Sequence, residues 1–192
     1  MQIIDEYFIG LDESSRNNIF RFQEKDKWCW AASTQMVLLK HGIDISQEIL
    51  SNILTSDKIG YPNCTNNFES VAQLLNGQEL NNKIIHSYTQ NGIPRQNDLI
   101  SEIRAGNPLI IGVWSNNNNN IGHAVVLTNL KIIIGNDGNR YISKLFVLDP
   151  LKTQKTIKSN GIRFYKGNDI PKILRNILII RTFPKQFYQL RT

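Results

Sequence analysis

The sequence predicts an α+β domain in which helices occupy the first half of the chain and an antiparallel sheet the second. Two observations carry this. Between residues 28 and 105 apolar side chains recur at helical spacing in four stretches, and three of these stop at a glycine, Gly42, Gly77 or Gly106. From Pro108 onward the period changes: Leu109–Trp114, Ile121–Leu130, Tyr141–Leu148 and Ile177–Ile180 are apolar runs of strand length. The break gives a helical lobe over about 23–106 and a sheet lobe over about 107–192, meeting in a cleft. With 192 residues, 41% of them hydrophobic, the chain is expected to form one domain with a substantial core.

Taken in order, residues 1–22 alternate weakly around Asp12-Glu13-Ser14-Ser15 and read as a short strand or extended lead-in. The first helix runs from Trp28 to Lys40 and stops at His41-Gly42. Asp44-Ile45-Ser46-Gln47 resembles a capping box and opens a second helix with Ile45, Ile49 and Ile53 on one face. Residues 60–67 are rich in helix breakers, and Asn66 with Glu69 caps a third helix through Leu75. Lys83–Thr89 reads as a strand, and Asn97 caps a fourth helix over Asp98–Ala105. Five consecutive asparagines, Asn116–Asn120, cannot build a core and separate two strands. Gly135–Asn139 turns a hairpin between Lys131–Ile134 and Tyr141–Leu148. In the remainder, Asp169 caps a turn and Ile177–Ile180 closes the sheet; an amphipathic membrane helix through Ile170, Ile173, Leu174, Ile177 and Leu178 is the alternative drawing.

Charge and cysteine content narrow the function. The net charge is +6, and residues 151–192 hold ten Lys/Arg against one acid, Asp169. Because these cations are spaced among apolar residues, a solvated surface explains them better than a site for nucleic acid or anionic membrane. A binding module on that basic surface stays as a reading from another class. Cys29 and Cys64 could form one disulfide, but both are expected as reduced thiols; with three scattered histidines, neither a metal nor another cofactor is expected. Met1–Glu6 does not begin a signal peptide, so the chain is expected in the cytoplasm or exported by a specialised system. A monomer is expected.

The chemistry gathers at Trp28-Cys29-Trp30-Ala31-Ala32, where a charged run gives way to helix formers. A thiol in the first turn faces the positive end of the helix dipole and unpaired N–H groups, both of which favour thiolate. Gln23, six residues earlier, can donate its amide to an oxyanion, as can the backbone N–H of Cys29. Trp28, Trp30 and Gly122 are candidates to line the cleft, although the tryptophans also suit the seam between lobes. Cys64 lies in a loop with nothing nearby to activate it, and His41 and His86 have structural explanations.

Gln23 together with Trp28-Cys29-Trp30-Ala31-Ala32 resembles the active-site segment of papain-like cysteine proteases, most closely the compact bacterial branch typified by type III effector proteases of plant pathogens. Where the wider papain pattern has Gly and Ser before the cysteine, this chain has Lys27 and Trp28. Gly122-His123-Ala124-Val125-Val126 resembles the histidine strand of those proteases, and Asp149, before Pro150, resembles the Asp that the effector branch uses where papain has Asn. The resemblance implies a papain-like fold with a helical lobe, an antiparallel sheet or half-barrel lobe, and a Cys29–His123–Asp149 triad in the cleft. It implies an endopeptidase acting on proteins or peptides through an acyl-enzyme, with a role as effector, toxin or virulence factor. Deamidase, transglutaminase and acyltransferase activities are open on the same triad. Cys29 and His123 are 94 residues apart, against about 130–150 in papain proper, so some pocket-shaping loops should be missing.

Overall fold

The computed structural model describes residues 2–55, 68–114, 122–170, 174 and 176–185; Cys64, Asn66 and the asparagine tract lie outside them. The lead-in is more ordered than its pattern suggests. It forms strand β1 (Ile3–Gly10) and helix α1 (Glu13–Ile19), and Asp12 accepts the Ser15 N–H at 2.7 Å as the helix cap. The polar run Asp12-Glu13-Ser14-Ser15 inside the expected lead-in is therefore a helix start.

Helix α2 (Cys29–Lys40) is the centre of the molecule. It packs on the sheet and on helices to either side, and Ala31, Ala32, Met36, Val37 and Leu38 are wholly buried. Residues 29–38 are all buried, the polar Ser33, Thr34 and Gln35 included, so the helix turns no face of that stretch to solvent. Cutting Met36 or Leu38 to Ala is expected to cost about 2–5 kcal/mol. Helices α3 (Gln47–Thr55) and α4 (Phe68–Leu75) continue the layer. Strands β2 (Glu79–Leu80) and β3 (Lys83–Asn91) lead to α5 (Gln96–Arg104), which starts two residues before the position expected from Asn97.

The second half supplies β4 (Leu109–Trp114), β5 (Gly122–Gly135), β6 (Arg140–Leu148), the short α6 (Gln154–Lys158), β7 (Ile162–Lys166) and β8 (Asn176–Pro184). Among the described residues the sheet is eight-stranded and antiparallel, in the order β2-β3-β8-β4-β5-β6-β7, with β1 paired to β5. Strand β8 thus lies in the middle of the sheet, between β3 and β4. Leu178 and Ile180 join the core under α2 and α4, while Ile177 and Ile179 join a second core under α5. Burial on both faces explains the unbroken apolar run and replaces the drawing of a membrane helix. Among the described residues no helix is long and apolar enough to cross a membrane.

The expected hairpin is present, with β5 running on from Gly122 through Gly135 before the turn. Beyond β6 the chain is held by one close approach. The Asp149 N–H donates to the Gly161 carbonyl at 2.8 Å, and Gly161 has φ +74° with Phe20 against its Cα; a Cβ there would fall 2.0 Å from a ring carbon. Only glycine fits that position.

Candidate active site

Strands β5, β6 and β7 are neighbours in the sheet, and each brings one polar group to the same end: His123 near the start of β5, Asp149 just past β6, and Arg163 near the start of β7. Nε2 of His123 lies 2.7 Å from Oδ1 of Asp149. Asp149 is fully buried, and its carboxylate also takes the Leu151 N–H at 2.9 Å on Oδ1 and Nη1 of Arg163 at 2.6 Å on Oδ2. Burial alone would push this carboxyl up. The hydrogen bond and charge of His123, with the bonds from Arg163 and Leu151, outweigh it and hold Asp149 below the usual carboxylate value.

Cys29 reaches this end of the sheet from α2. It is the first residue of the helix, and Trp28 ahead of it makes no side-chain capping bond. The N–H of Ala124, the residue after His123, donates to Cys29 Sγ at 3.5 Å, and the Ser33 hydroxyl donates to the Ala124 carbonyl at 3.2 Å. Helix and histidine strand are thereby tied twice. With Nε2 facing Asp149, Nδ1 is the imidazole nitrogen not engaged by the carboxylate.

The segment before α2 is anchored from both lobes. Gln23 donates its backbone N–H to the Pro150 carbonyl at 2.9 Å, which links it to the residue after Asp149. Gln47, 1% exposed on α3, donates to the Phe22 carbonyl at 2.8 Å and accepts from the Glu24 N–H at 3.0 Å, so one buried amide clamps the peptide groups on either side of Gln23. The Gln23 side chain donates to the Lys25 carbonyl at 3.1 Å; an amide nitrogen has a second hydrogen to offer. Lys27 sits at φ +64° just ahead of the helix, a backbone state that costs a residue with a Cβ and recurs next to reactive groups.

The sequence profile of the Peptidase_C39 like family matches residues 16–168 of this chain, most of its length. The chain belongs to the Peptidase_C39 like family. As a member it is a hydrolase of the cysteine peptidase class. Among solved structures it is similar to the peptidase domain of Streptococcus ComA, a bi-functional ABC transporter involved in a quorum sensing pathway. That match has 14% identity and a TM-score of 0.53, covering 84% of this chain and 96% of the other. It is also similar to a double glycine motif protease from an AMS/PCAT transporter, solved in complex with the leader peptide, at 17% identity and TM-score 0.49, covering 85% and 91%. The first of these likenesses supports the papain-like arrangement of helices and antiparallel sheet described above. No curated protein matches the chain.

In this peptidase Trp28 and Trp30 are 7% and 3% exposed and belong to the core under the sheet, Trp28 with Nζ of Lys25 over its ring at 4.4 Å. Gly122 is buried beside Trp114 in the sheet register. Among the described residues no group of three His, Cys, Asp or Glu gathers as metal ligands would. Part of the C-terminal basic charge is paired within the chain: Arg163 on buried Asp149, Arg181 on Glu102 and, at the surface, Lys185 on Glu79. Arg163 and Gln47 are the two site residues that sequence reasoning missed. Arg163 lies in an ordinary alternating strand, and Gln47 reads as the last residue of a capping box, so neither carries a local signal.

Proposed function

We propose that this peptidase is an endopeptidase that hydrolyses peptide bonds of a protein or peptide substrate, with Cys29 as nucleophile, His123 as general base and acid, and Asp149 as the group that orients His123. The observation that carries this reading is the approach of Cys29 Sγ to the backbone of Ala124 beside a His123 whose far nitrogen is bonded to a buried carboxylate.

In the first step Nδ1 of His123 takes the thiol proton and the sulfur attacks the substrate carbonyl, forming a C–S bond. The carbonyl π pair moves onto oxygen, where the backbone N–H of Cys29 and the second amide hydrogen of Gln23 stabilise it. Collapse of this intermediate breaks the C–N bond, and the imidazolium returns its proton to the leaving amine. Water then attacks the thioester with His123 as base, releasing the acid and the thiol. Asp149 holds the tautomer in which Nε2 carries hydrogen and Nδ1 the lone pair.

An effector, toxin or virulence role rests on the likeness of residues 23–33 to that branch alone. The chemistry is tested by incubating the chain with a diverse peptide pool and reading new termini by mass spectrometry. Cleavage that disappears in Cys29→Ala and His123→Ala supports the reading. Cleavage that persists in Cys29→Ala removes it, and mass changes of deamidation or cross-linking without new termini transfer the same site to another acyl acceptor.

A further inference from the structure

Asp149 does more than a partner for one histidine requires. Its two oxygens are divided: Oδ1 faces His123 and the Leu151 N–H, while Oδ2 is held by Arg163 at 2.6 Å. The carboxylate is fully buried, so these contacts, and not bulk water, set its charge and direction. Arg163 projects from β7, opposite Val147 in the sheet register, and its guanidinium is permanently charged. Tyr165 on β7 lies within electrostatic reach of this pair, and Cys29 on α2 lies against the N–H of Ala124, the residue after His123. Tyr165 has its phenol pushed up by burial and by Asp149, so it adds no charge.

We propose that Arg163 is a positioning residue of this site, which acts through Asp149 to aim Oδ1 at the imidazole and to lower the basicity of His123. Two effects follow from one contact. While His123 is neutral, Arg163 remains as counter-charge to the buried carboxylate and keeps it ionised and pointed at the ring. Once His123 is protonated, the carboxylate is shared between two cations, and the guanidinium opposes the imidazolium across it. The imidazolium is therefore held less tightly than a lone carboxylate would hold it, which makes it a readier proton donor to a leaving amine.

This proposal rests on His123 being the general base, so its test uses neither thiol nor substrate. In a Cys29→Ala background with isotope-labelled histidine, the His123 imidazole is followed by NMR from about pH 4 to 9, with Arg163→Met, Arg163→Gln and Arg163→Lys alongside. Removing the charge, in Met and in Gln, is expected to raise the His123 midpoint by about one unit, while Lys stays near the parent. Should Met fail to fold, Gln, which retains a hydrogen-bond donor without the charge, decides the matter. A midpoint unchanged or lowered in the neutral variants overturns the proposal. Alkylation of Cys29 by iodoacetamide in the unmutated chain reads the other question. If Cys29 reacts there like an ordinary thiol while the neutral variants still raise His123, the general-base role fails and the Arg163 coupling stands.

Discussion

At its C-terminal end, α2 meets His41, which donates Nε2 to the Ile180 carbonyl at 3.2 Å with Lys83 and Lys40 nearby; Lys83 in turn donates to the His41 carbonyl. At its N-terminal end the helix meets His123, whose Nε2 faces a buried carboxylate at 2.7 Å. Burial first, and the two lysines with it, hold His41 below the ordinary imidazole value, and the carbonyl bond only partly offsets them. The same ring is thus built into a neutral strut at one end and beside a counter-charge at the other. What an imidazole can do here follows from its second nitrogen's partner, not from its place on a helix end.

The comparison is broken most sharply by exchanging the two roles. His123→Ala is expected to lower kcat/KM on a susceptible peptide by about 10³-fold or more, whereas His41→Gln should leave it within about threefold. Steady-state rates on the same peptide read both. Asp149→Asn comes next, with a fall on the order of 10²–10⁴-fold in kcat and a change in acid stability. Because the folded Asp149 lies below its ordinary value of about 3.9, its contribution is present above that value and lost as pH falls through the folded one. Urea unfolding between about pH 5 and 2 should therefore lose part of its pH dependence in Asp149→Asn.

Gln47→Leu keeps volume but strips the clamp around Gln23. It should cost about 1–3 kcal/mol of stability and reduce kcat without moving the pH profile, since no titrating group is touched. The smallest effect belongs to His41→Gln. A lowered histidine contributes stability above about pH 6.5 that is lost as pH falls toward its folded value. The variant should be flatter than the parent over that window in a thermal melt series, at unchanged activity.

The features legible in sequence are those written in periodicity and local chemistry. Helix α2 ends where His41-Gly42 says it should, and the apolar runs at 109–114 and 177–180 are strands because a continuous apolar stretch of that length suits a sheet covered on both faces. Cys29 was visible because a cysteine between tryptophans at a helix start is a poor packing choice. The start of the chain was less legible, since β1 exposes Ile3, Ile4 and Phe8 and, among the described residues, pairs with β5, more than a hundred residues later. Gln47 and Arg163 were invisible for the same reason: their meaning lies in partners 25 and 14 residues away, Phe22 and Asp149, and nothing at their own positions points there.

The place of β8 makes closure of the sheet wait for the last described strand. By the end of β7 a growing chain already contains Gln23, Cys29, His123, Asp149 and Arg163. The sheet at that moment is in two pieces, because among the described residues β3 and β4 are joined through β8, Asn176–Pro184. Leu178 and Ile180, which floor the core beneath α2, are also still missing. A nascent chain is therefore armed in composition and disarmed in shape, and a chain halted after Lys166 should show no peptidase activity. Residues 176–184 are thus what joins the two pieces of the sheet beneath α2.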